Sequence, residues 1–174
     1  TVDGITRTER FDLLKDPRLT EVTQADFVAQ FDLAMAVHAR FNDATTAVTR
    51  IRALRIEVDD RIRAASDVQV TQAGTALAAK LGDVEGDLYE GEAEAQSDLK
   101  HFGTRLANHL SYLKGVVMGA DARPTQQSFQ VLEEISVELD AHLLRLEVIL
   151  GDELDRFNDL LREKGMPPVG RLIA

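Results

Sequence analysis

Residues 125–164 read TQQSFQVLEEISVELDAHLLRLEVILGDELDRFNDLLREK, and this stretch decides the fold. Its apolar positions are Phe129, Leu132, Ile135, Leu139, Leu143, Leu146, Leu150, Leu154, Phe157 and Leu161. They recur at steps of three and four, the spacing of a helix face buried against other helices. The spacing predicts one helix of about forty residues, roughly 60 Å long. Thr125, just after Pro124, is placed to cap its start, and Gly165-Met166-Pro167-Pro168 to stop it.

A second long helix answers it from the other end of the chain. Thr23 with Asp26 has the spacing of a capping box, and Val22 with Phe27 that of a hydrophobic staple. The seam then runs Phe27, Phe31, Ala34, Val37, Phe41, Ala44, Val48, Ile51, Leu54, Val58, Ile62. Between these helices the pattern predicts two shorter ones. Residues 68–89 carry Val70, Ala73, Leu77, Leu81, Val84 and Leu88. Residues 102–118 carry Phe102, Leu106, Leu110, Leu113 and Val117, with Gly119 as the terminator. Gly74, Gly82 and Gly86 inside the second helix suggest close approach of a neighbour. Polar residues 90–100 read as a loop, and 1–22 as a short strand at Phe11-Asp12-Leu13 followed by an extended turn at Pro17.

The fold expected is all-α: an up-down-up-down four-helix bundle, with two long outer helices (1 and 4) and two shorter ones (2 and 3). Residues 1–22 form an extended segment, either a remnant of a preceding β domain or a strap packed along the helices. Residues 23–166 form the bundle and 167–174 a tail. Brief connections make successive helices antiparallel neighbours. The first and fourth helices then run antiparallel, and the short pair covers only half their length. Phe27, Phe31, Met35 and Phe41 of helix 1, with Leu150, Leu154, Phe157 and Leu161 of helix 4, would line the uncovered half. These eight residues are the candidate interaction surface. Three covers are open: the two chain tails, a second copy, or another domain of a larger parent. The same topology sets Arg50, Arg52, Arg55, Arg61 and Arg63 near Asp83, Glu85 and Asp87, and near Glu133, Glu134 and Glu138.

Composition bounds the chemistry. The chain has 174 residues, 44% hydrophobic and 29% charged, enough for one domain with a core. A net charge of −10 argues against a nucleic-acid partner, which needs clustered positive charge. No apolar run reaches the ~18 residues needed to span a bilayer, so no membrane insertion is expected. The absence of cysteine removes thiol catalysis and thiolate metal sites. The Thr start reads as a fragment or processed product. No Glu-x-x-His, HExxH, phosphate loop or nucleophile elbow occurs. Asp98-x-x-His101 and the Glu138/His142 pair are isolated, as are His38 and His109. The pattern selects no catalytic residue, no metal ligand and no cofactor.

Several short motifs at helix boundaries carry a resemblance. They are Phe11-Asp12-Leu13-Leu14-Lys15-Asp16-Pro17-Arg18, Thr23-Gln24-Ala25-Asp26 with Gln30-Phe31, Leu88-Tyr89, and Arg105-Leu106-Ala107-Asn108. Arg123-Pro124-Thr125-Gln126-Gln127-Ser128, Glu138-Leu139-Asp140, Asn158-Asp159-Leu160-Leu161 and Pro167-Pro168 complete the set. Together they resemble the C-terminal helical region of large bacterial BNR/Asp-box β-propeller proteins, glycosyl-hydrolase-like or sortilin/VPS10-like. Asp98-Leu99 and Phe102-Gly103 depart from that pattern, which has Asp-Pro and a later Pro there. The resemblance implies an accessory module of an exported protein. Its partners would be the upstream domains of the same parent or a second copy, as a homodimer. It carries over no catalytic residue. A carbohydrate-active or metal-dependent enzyme fragment, and a free-standing scaffold or sensor bundle, are the alternative readings.

Overall fold

The structure is a computed structural model and describes residues 8–12, 14–89 and 105–170. It is all-helical, with no strand among the described residues. Among the described residues four helices build it: α1 (Gln24–Ala64), α2 (Val68–Leu88), α3 (Leu106–Met118) and α4 (Gln126–Val148). The last continues through a π-helical turn (Ile149–Glu153) into α5 (Leu154–Glu163).

Local chemistry sets the helix ends. Asp26 N–H donates to the Thr23 hydroxyl at 3.3 Å, and Thr23 N–H donates to the Asp26 carboxylate at 2.9 Å, a reciprocal capping box. Asp67 caps α2 by accepting from Gln69 N–H at 2.7 Å, and Thr125 caps α4 by accepting from Ser128 N–H at 3.3 Å. Met166 N–H reaches back to Leu161 C=O at 2.8 Å across Gly165, whose φ is +70°. That left-handed position is open to glycine at little cost and closes α5.

Pairings along the helices give their directions. Asp26 pairs with Arg123, Arg40 with Asp140, and Arg50 with Glu147, while Arg61 bonds the carbonyls of Pro167 and Pro168. Numbers rise together, so α1 and the α4–α5 column run parallel. Against α1, α2 descends: Gly74 lies against Ile62, and further along Glu85 meets Arg52 and Arg55. So does α3, with Gln30 donating to the carbonyls of Val117 and Ala120. Thus α2 and α3 follow one another down a single middle column between two ascending ones.

This arrangement corrects the up-down-up-down expectation. The two short helices do not lie side by side over one half of the long pair. They succeed each other end to end and cover both halves. Residues 89–105 separate α2 from α3, enough chain for α3 to continue in the direction of α2. The residues read as a polar loop (90–100) and as the start of helix 3 (102) lie outside the described residues. The two ends of the long columns also part: the start of α1 and the end of α5 lie at opposite ends of the bundle.

The core is one cluster along all three columns, including Leu33, Val37, Ile51, Leu54, Leu81, Leu110, Leu139 and Leu154. The π turn adds to it. Leu154 N–H bonds Ile149 C=O, and consecutive residues Ile149 and Leu150 are both buried. One extra residue in the turn shifts the helical phase, so the buried face passes from Leu146 to Phe157 without leaving the seam. The uninterrupted helix expected from the periodicity therefore contains a register step.

The strand expected at Phe11-Asp12-Leu13 is not seen at Phe11 or Asp12, and Leu13 lies outside the described residues; residues 14–22 hold none either. A turn, with Leu19 N–H on Asp16 C=O at 3.0 Å, stands where Pro17 predicted one. Lys15 Nζ bonds Val22 C=O at 2.6 Å and ties the segment to the head of α1.

Candidate functional site

The eight candidate interaction residues divide by helix. Leu150, Leu154, Phe157 and Leu161 are buried, Leu161 at 0% exposure. They face α2, which the expected topology had placed elsewhere, and they are core rather than surface. Phe27 and Phe41 are half-buried. Phe31 and Met35 are exposed, Phe31 at 64%, and Val28 one turn earlier joins them. Phe31 falls outside the seam because α1 packs between α3 and α4, and the buried stripe centres on Leu33 and Val37. What survives of the candidate surface is an outward stripe on the first half of α1.

The far end is sealed by the tail. Asn158 is buried; its Nδ2 donates to Val169 C=O at 3.1 Å and its Oδ1 accepts from Val169 N–H at 2.7 Å. Glu57 accepts from Gly170 N–H at 2.8 Å, and Arg61 Nε donates to Pro167 C=O at 2.7 Å. Val169 is buried in the result. A tail clamped by a side-chain amide and a guanidinium leaves no sequence period, so only the fold reveals it.

Two seams flank the α4–α5 column. Toward α2, ion pairs bridge it at three levels: Asp67–Lys164 at 2.9 Å, Lys80–Glu153 at 2.5 Å, and Asp87–Arg145 at 3.4 Å, with the His142 ring also 3.4 Å from Asp87. Lys164 and the Gln69 amide hold the Asp67 carboxyl below the usual carboxylate range, and Lys80 does the same for Glu153. Gly74 lets the helices close: a Cβ there would lie 2.7 Å from Ile62 Cγ1 and 3.2 Å from Phe157 Cζ. Gly86 meets nothing within 4 Å, and Gly82 only the Arg55 guanidinium at 3.7 Å, so close approach explains Gly74 alone.

Toward α3 the seam opens into a groove of about 530 Å³. Leu113 and Ile135 form its floor; Tyr112 and Val116 on α3 and Val131 on α4 form its walls. Tyr112 is 74% exposed and Val116 52%. Glu134 and Glu138 line the α4 side, and no ion pair crosses from α3 to α4 among the described residues. The three wall residues were not singled out by the sequence reading. Their signal was Tyr112 and Val116 standing four apart, one position off the buried seam of α3.

The expected arginine contacts hold in part. Arg52 and Arg55 meet Glu85, but Glu133, Glu134 and Glu138 lie far down the parallel column and pair with none of the five arginines. His142 lies against Asp87 rather than sharing a site with Glu138. Among the described residues no group of three or more His, Asp or Glu could hold a metal ion, and no helix is long and apolar enough to cross a membrane.

Comparisons with known proteins add no relative: no family model matches the chain, and neither a curated protein nor a solved structure is significantly similar to it.

Proposed function

We infer that the chain is a non-catalytic helical interaction module. Following the motif resemblance, it would be an accessory part of an exported BNR-repeat propeller protein, docking on upstream domains of its parent or on a second copy of itself. The observation that carries this reading is the Val28, Phe31 and Met35 stripe, three large apolar side chains within two turns of α1, all exposed. Single exposed apolar residues are ordinary; three on one helix face within two turns are a mark of a contact.

Light scattering after size exclusion tests the reading, on the chain alone over a concentration series and mixed with the upstream part of its parent. A dimer, or a 1:1 complex with the upstream part, that is lost in Phe31→Asp supports it. Association unchanged by Phe31→Asp, or a monomer under every condition, overturns it.

A further inference from the structure

The groove between α3 and α4 lies on a different side of the bundle from the α1 stripe and has a different chemistry. Its floor and walls are apolar, while its titratable lining is Glu134, Glu138 and the imidazole of His109, with no Lys or Arg. Neither carboxylate has a cationic partner among the described residues, whereas the carboxylates of the α2 seam, Glu153 on the column and Asp87 on α2, are both paired. The lining runs from Thr125 to Glu138, about 20 Å of helix at 1.5 Å per residue. A groove between two antiparallel helices is the seat a fourth helix takes in a bundle. Ridges of Tyr112 and Val116 opposite Val131, over a floor of Leu113 and Ile135, are suited to a helix with apolar side chains at i, i+3 and i+4.

We propose that this groove binds a basic amphipathic helix of another polypeptide, three to four turns long, whose apolar face enters between α3 and α4 and whose Lys or Arg side chains meet Glu134 and Glu138. The apolar walls supply the affinity through burial, and the two carboxylates set orientation and partner choice. The net charge of −10 favours encounter with a cationic partner and disfavours a second copy of this chain, which would bring the same unpaired carboxylates together. This proposal does not rest on the α1 stripe: either surface can fail its own test without touching the other.

The test uses the full chain and a labelled model peptide of about fourteen Leu and Lys residues patterned as an amphipathic helix. Its Leu/Glu counterpart and a scrambled Leu/Lys sequence serve as controls, all read by fluorescence anisotropy. Expected is saturable binding of the amphipathic Leu/Lys peptide, about tenfold weaker for Glu134→Lys/Glu138→Lys and weakened by added salt. Reversing two acids elsewhere, Asp32→Lys/Asp59→Lys, should change it less than about threefold. Val116→Ser, at an exposed position that leaves folding intact, should also weaken it. Equal losses from the near and distant charge reversals, or equal binding of the scrambled peptide, would show unspecific attraction to an acidic protein and overturn the proposal. So would full binding by Val116→Ser together with Tyr112→Ser. Dimerisation of the chain alone that these two serine variants abolish would give the groove to a second copy and equally overturn it.

Discussion

The α4–α5 column meets two partners in the descending column, and it meets them differently. Against α2 the contact is closed: Gly74 admits Phe157 and Ile62, and ion pairs tie Lys80 to Glu153 and Lys164 to Asp67. Against α3 the contact parts into a groove, with Tyr112 and Val116 turned to solvent and two glutamates unpaired. The same helical period serves both halves. What differs is the size and charge of the residues one step off the seam. Small or paired residues there close a joint; large apolar and single-signed ones leave it open for something else.

The comparison can be broken most severely at Phe157. Phe157→Ala should cost about 3–5 kcal/mol, because the ring is buried and the Gly74 backbone cannot follow it into the void. Tyr112→Ala, in the groove, should shift stability by no more than about 0.5 kcal/mol. Chemical denaturation of both variants checks the contrast, and equal losses would mean the groove is part of the core. Next is Asn158→Ala, which strands a buried carbonyl and N–H of Val169 and should cost about 1–3 kcal/mol. Hydrogen exchange at Val169 should rise with it.

A sign change sharpens the picture further. Gly74→Ala should destabilise by about 1–2 kcal/mol, since overpacking against Ile62 outweighs the gain in helix propensity. Gly86→Ala, in open space, should stabilise by about 0.5–1 kcal/mol. Thermal midpoints moving in the same direction would refute close packing at Gly74.

The smallest effect is expected from acid. Asp67 and Glu153 have folded pKa values below their ordinary ones, through Lys164 and Lys80 respectively. Their contribution is present above the unfolded values, about 4, and is lost as pH falls through the lower folded values. Asp26, held down by the Thr23 hydroxyl and amide, acts in the same direction. Thermal midpoints should therefore fall below about pH 4. The fall should be shallower in Lys80→Met/Lys164→Met, which lacks the pairs on the α2 side.

Much of the fold was legible because it is local. The Thr23/Asp26 box, the Thr125 cap and the Gly165 stop each depend on residues within five positions of one another, and each stands where the sequence put it. The seams of α2 and α3 likewise follow from the spacing of Leu77, Leu81, Val84, Leu106, Leu110 and Leu113. The candidate surface was half legible. Periodicity marks Phe31 and Phe157 alike as apolar and helical, but burial depends on which helix lies opposite. The assignment of short connections as reversals put α2 and α3 side by side, and every surface residue drawn from the last helix inherited that error.

By itself, then, the sequence determined an acidic chain built on helices, where those helices begin and stop, and which residues could form a seam. Capping and amphipathic spacing are short-range, so neighbours along the chain are enough to specify them. Only the tertiary structure decided that α3 continues the descent of α2, that α1 and α4 rise together, and that a π turn re-phases the column at Ile149. Those choices rest on contacts between residues up to about a hundred positions apart, such as Arg40 with Asp140, and their direction is not encoded in any single helix. The open groove and the sealed end follow from that choice of direction.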